Sequence, residues 1–135
     1  MKLLIFLLLF VTKVNDNVAT GIFSSNIPDD CKQLYLAITI KESGWHKNKN
    51  AVIKNNYSGF MLNGSLMKFA TLSHYLTFSE KWFIRKNIKN EKDLIKLIKQ
   101  GRYANLSKKQ LAVYLQQLLI IKNKTKYLSN EKHNL

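Results

Sequence analysis

The sequence predicts a mostly α-helical domain with a small hairpin or loop lobe that closes a cleft. Three observations predict it. Apolar residues recur at helical spacing in four stretches, at about 30–42, 71–86, 91–100 and 107–122. A strong turn signal, Asn63-Gly64, lies between the first and the second. The chain has 135 residues, 46% of them hydrophobic, which suffices for one domain with one modest core.

Met1-Lys2 followed by the apolar run Leu3 to Val11 reads as a secretory signal, too short to span a bilayer comfortably. Residues 1–20 are therefore expected to be a signal peptide or an N-terminal anchor. The protein is accordingly placed in the periplasm or cell envelope, or secreted. Residues 21–29 follow as a lead-in, and the whole of Lys13 to Ile27, rich in Asn, Ser, Thr and Gly, reads as flexible. The domain proper covers 30–122, with a polar tail at 123–135.

Pro28-Asp29-Asp30 opens the first helix, and Asp30 and Gln33 have the spacing of a capping box. Cys31, Leu34, Tyr35 and Ile38 form its buried face, and Gly44 ends it. The same face runs on to Lys41 or Glu42, so Glu42 is expected on or beside the inward stripe. His46 to Asn56 reads as a basic loop. Phe60 to Leu62 and Leu66 to Phe69 are expected as two short strands joined at Asn63-Gly64. In the second helix Leu72, Tyr75, Leu76, Ser79, Trp82 and Phe83 share a side. In the third, Leu94, Ile95, Leu97 and Ile98 supply it, with Gly101 as the stop. Ser107 and Gln110 make a capping box for the fourth, whose apolar set includes Leu111, Tyr114 and Leu118.

Glu42 carries the chemistry the sequence points to. A carboxyl at the negative end of a helix dipole, partly buried beside Trp45 or Phe60, is disfavoured as an anion. Such a group suits general-acid work. The spacing alone favours a helix-end carboxylate paired with Lys41 or Lys47 over a catalytic acid.

Composition narrows the partners. Lys and Arg number 22 against 8 acids, a net charge of +14, which favours polyanions such as nucleic acid, an anionic membrane surface or acidic envelope polymers. An export signal argues against a specific nucleic-acid partner. His46, His74 and His133 lack ligand spacing to Cys or carboxylates, so no metal and no other cofactor is expected. The lone Cys31 excludes an internal disulfide and reads as a small core residue rather than a nucleophile.

The pairing of Ala37-Ile38-Thr39-Ile40-Lys41-Glu42-Ser43-Gly44-Trp45 with Asn55-Asn56-Tyr57-Ser58-Gly59-Phe60 resembles the lysozyme-like glucosaminidases of bacteria and phages. Gly59-Phe60-Met61 is similar to the Gly-Leu-Met element of the lytic transglycosylases, and Tyr103-Ala104 to a Tyr-Ala pair before the family's last helix. The ordered set spans about 30–120. The resemblance implies a lysozyme-like domain, monomeric, that cuts the glycan strand of peptidoglycan. It implies Glu42 as the acid protonating the glycosidic oxygen and Ser43 orienting it or touching substrate. Asn56, Gly59 and Phe60 would line the cleft, and Tyr103 would stack on or hydrogen-bond a sugar. A two-carboxylate glycosidase needs a second acid, and between Glu42 and Phe78 there is none. Glu80 is next, but its place in the second helix is not expected to face the cleft. Without a second acid, either a group of the substrate replaces it, which favours a single-acid, transglycosylase-like reaction, or the domain is weakly active or inactive. The alternative reading is a non-catalytic cationic protein that binds cell walls or membranes, and behind it a nucleic-acid-binding module.

Overall fold

The computed structural model describes residues 14–101 and 106–128. The apolar run of residues 1–13 lies outside them, as do Tyr103, Ala104 and residues 129–135. The fold is mostly helical with one two-stranded antiparallel sheet, as the sequence predicts. In chain order the elements are α1 (Asp16–Ser24), a 3-10 turn (Asp29–Cys31), α2 (Lys32–Glu42) and α3 (Lys49–Ile53). There follow β1 (Met61–Leu62), β2 (Ser65–Leu66), α4 (Leu72–Arg85), α5 (Glu91–Lys99) and α6 (Lys108–Lys124).

α2 is the axis of the molecule. Every residue from Leu34 to Ile40 is fully buried, so this helix is enclosed on all sides rather than on one stripe. α6 packs along it, α5 packs on α6, and α1 lies against both α2 and α4. The expected Asp30–Gln33 capping box does not form. Asp30 Oδ2 instead accepts from the Glu91 backbone N–H, and Gln33 Nε2 donates to the Thr125 carbonyl and hydroxyl. Both side chains are drawn into long-range ties that a local pattern does not register. The Ser107–Gln110 box does form.

Two expectations about the ends of the domain are corrected. Much of the stretch read as a flexible lead-in is α1, capped by the Asn15 side chain, with Val18, Ala19, Ile22 and Phe23 buried. Gly21 lets the Leu76 side chain of α4 close against it, a contact that a Cβ would obstruct. At the other end the core runs past residue 122: Thr125 and Leu128 are buried.

The lobe between α2 and α4 is small. Met61 pairs with Leu66 and Leu62 with Ser65, and positive φ at Asn63 and Gly64 (51° and 79°) closes a type I′ turn. The preceding loop is not wholly irregular, since α3 occupies part of it behind an Asn48 cap.

Candidate active site

Glu42 is the last residue of α2, and its side chain is exposed rather than inward. It opens into a cleft of about 590 Å³ between the hairpin lobe and α4. Ser58, Gly59 and Phe60 form one wall beside it, and Met61, Leu62 and Met67 of the hairpin extend that wall. Phe78, Trp82, Arg85 and Lys86 of α4 face them. Glu42 is the one carboxylate of the lining among the described residues.

Its carboxylate is held from behind. The Tyr114 hydroxyl donates to Glu42 Oε1 at 2.6 Å across 72 positions of sequence. Tyr114 is nearly buried on α6, and Lys41 Nζ lies 5.4 Å from its ring centroid. Burial first, and then the Glu42 charge that its hydroxyl faces, push the phenol above its ordinary range, so it stays a donor. The sequence pattern placed Tyr114 among core residues. A phenol on a buried helix face needs a polar partner, and that was the available signal.

Gly59 stands against the other oxygen. At φ +69° it occupies the left-handed region, and a Cβ built there would lie 3.4 Å from Glu42 Oε2. The missing side chain leaves that oxygen open to the cleft.

The turn after Glu42 is strained and clamped. Gly44, Trp45 and His46 all have φ near +60°. Two of them carry side chains, at about 1–2 kcal/mol each. His46, buried, offsets this. Its backbone N–H donates to Ser43 Oγ, its Nδ1 accepts from the Asn15 backbone N–H, and its Nε2 lies 2.9 Å from Thr39 Oγ1. Since Thr39 Oγ1 donates to the Leu36 carbonyl, Nε2 carries the proton and the ring is neutral. Burial lowers its pKa to about 4. The ring also meets Tyr57 edge-on at 5.3 Å. Sequence reasoning treated His46 only as a missing metal ligand.

Ser43 and Asn56 are buried and lie outside the described cleft lining. Ser43 is fully buried and its hydroxyl donates to the Thr39 carbonyl while accepting from His46 N, so it holds the turn. Asn56, also buried, donates to the Phe60 and Met67 carbonyls and accepts from Phe60 N. It acts as a strand's worth of backbone, pinning the hairpin base. Asn55 does the same through the Phe69 carbonyl. Phe60 lines the cleft but is nearly buried, packed on Phe69, Phe78 and Trp82.

A chain of hydroxyls fixes the Gly59 wall to the core. Tyr35 OH donates to Ser79 Oγ, so Ser58 Oγ must donate to Tyr35 and Tyr75 OH to Ser58. Ser79 returns to the Tyr75 carbonyl. Burial raises both phenols, so the chain stays protonated.

Glu80 does not reach the cleft: its Oε2 accepts from the Asn26 backbone N–H at 2.9 Å. Cys31 is fully buried, and its thiol is pushed up to about 12 by burial and then by Asp30, which leaves no thiolate for nucleophilic work. Among the described residues no group of three or more His, Cys, Asp and Glu is placed to hold a metal ion. No helix of the described residues is long and apolar enough to cross a membrane. Comparison with family models, curated proteins and solved structures returns no match.

Proposed function

We propose that this protein cleaves the glycan strand of peptidoglycan, with Glu42 as its acid. The observation that supports the reading most is the single carboxylate of the described cleft lining, braced on one oxygen by Tyr114 and left open on the other by Gly59. Tyr114 fixes the Oε1 side, so Oε2 is the oxygen that carries a proton toward a bound glycosidic bond. The half-buried and buried rings of Phe78 and Trp82 supply an apolar wall against which a sugar face can lie.

What the cleft holds supports a single-acid reaction. With Glu80 engaged by Asn26, the described lining has no second acid to activate water. Glu42 gives its proton to the glycosidic oxygen and the C1–O bond breaks. A hydroxyl of the same sugar then attacks C1, and its proton passes to the Glu42 carboxylate. Acid and base are the same residue, no water is consumed, and the product carries an anhydro-sugar end. The neighbouring N-acetyl group of the substrate can stabilise C1 in between, as in the substrate-assisted exceptions to the two-acid scheme.

A second reading has one observation in its favour. The net charge of +14 would hold a non-catalytic protein on an anionic wall or membrane, with Glu42 dispensable. Digestion of purified peptidoglycan by the full chain and by Glu42→Gln separates the two. Anhydro-muropeptides from the wild type alone support the first reading. Equal binding with no release of fragments by either supports the second.

A further inference from the structure

The cleft holds two cations opposite its acid. Arg85 ends α4 and Lys86 caps it, and both side chains are exposed along the cleft wall. Cations at a helix C-terminus complement its dipole, but that role does not require a fixed position. Arg85 has one: its guanidinium carbon lies 5.2 Å from the centroid of the Phe78 ring, which itself lines the cleft. Stacking on a ring orients the planar donor fork in advance and lowers the entropy lost on engaging an anion. Lys32 pairs with Asp29 and Lys122 with Glu91, whereas among the described residues neither Arg85 nor Lys86 takes part in an ion pair. A pre-oriented guanidinium without a described acidic partner, in the cleft that contains Glu42, suits a carboxylate arriving with the substrate.

We infer that Arg85, assisted by Lys86, binds a carboxylate borne by the glycan and so selects and positions the strand in the cleft. This rests on the glycan-cleavage reading and adds substrate selection to it. Two sources offer the same chemistry: a carboxyl on the sugar's own ether substituent, or the carboxyls of attached peptides. Glu42 and Arg85 then have complementary tasks, one at the scissile bond and one at a charged landmark near it.

The test measures binding of the full-length Glu42→Gln protein, which leaves strands uncut, to labelled glycan strands at 0.15 M salt. Three strand forms are used: with peptides intact, with peptides removed so that the sugar carboxyl is free, and with all carboxyls amidated. Amidation is expected to weaken Kd by about tenfold, the scale of a charge-assisted pair. Adding Arg85→Gln and Lys86→Gln is expected to erase that preference. Adding Lys96→Gln and Lys99→Gln, exposed on α5 and equal in charge change, is expected to preserve it. Tight binding of the peptide-free form assigns the sugar carboxyl; tight binding of the intact form alone assigns the peptide. Indifference to amidation, or an equal loss from the α5 pair, overturns the inference and leaves glycan cleavage standing. Failure to bind any strand form overturns both.

Discussion

His46 makes folding stability depend on pH through the mildly acidic range. The ring is neutral and buried, with Nδ1 accepting from the Asn15 backbone and Nε2 facing the Thr39 hydroxyl. A proton on Nδ1 would set two donors against each other and place a charge in a site 4% exposed. In the unfolded chain the imidazole takes up its proton near 6.5, and in the folded protein only near 4. The unfolded state therefore binds more protons across that window, and stability falls as pH falls. The whole gap between 6.5 and about 4 corresponds to about 3 kcal/mol. The contribution is fully present above pH 6.5, lost progressively below it, and exhausted by about pH 4. His46→Asn removes the titration while keeping an acceptor and a residue type that tolerates the +63° φ. Urea denaturation at half-unit steps from pH 7.5 to 4 checks this. The variant should be less stable at pH 7.5, and its stability should fall by about 3 kcal/mol less than the wild type's over the range. Parallel curves for the two proteins would mean that His46 is not held neutral by burial in the folded state.

Other outcomes follow from the same contacts. Tyr114→Phe removes the hydroxyl on Glu42 Oε1 and is expected to cost about 1 kcal/mol in thermal unfolding, since the exposed carboxylate can rehydrate. On peptidoglycan it should lower kcat by about tenfold to a hundredfold with KM nearly unchanged, because Tyr114 is not part of the described cleft lining; an altered KM with intact kcat would contradict a positioning role. Gly59→Ala meets both a +69° φ and Glu42 Oε2, so about 1–2 kcal/mol of stability should go, with a larger loss of cleavage than that destabilisation explains. A chain starting at residue 21 loses the Asn15 cap and the fully buried Val18 and Ala19, and should unfold about 3–5 kcal/mol more easily than one starting at residue 14. Calorimetry of the two truncations decides that point.

What the sequence disclosed was what repeats locally. The stripe of Cys31, Leu34, Tyr35 and Ile38 located α2, the Asn63-Gly64 pair located the hairpin, and Ser107 with Gln110 located the start of α6. α1 was masked by composition: Val18, Ala19, Ile22 and Phe23 do fall at the spacing of a helix face, but the helix is only nine residues long and its other positions are Asn, Asp, Thr, Gly and Ser, which read as loop. In the candidate site, Glu42 and Gly59 stand together as their motifs implied. Ser43 and Asn56 belong to the same motifs, but their polar atoms are spent on backbone groups that the turn and the hairpin leave unpaired. Tyr114 escaped because its partner is 72 residues away, and hydrogen bonds at that distance leave no periodic trace.

The proposed glycan cleavage stands on Glu42 as the one acid of the described cleft lining. Peptidoglycan digestion by the wild type and by Glu42→Gln, with products read by mass spectrometry, tests it most directly. Glutamine keeps the carbonyl that accepts from Tyr114, so the fold is expected to survive while the transferable proton is lost. Anhydro-ended fragments are expected from the wild type and none from the variant. Equal release by both proteins, or reducing-end fragments from the wild type, would contradict the proposal.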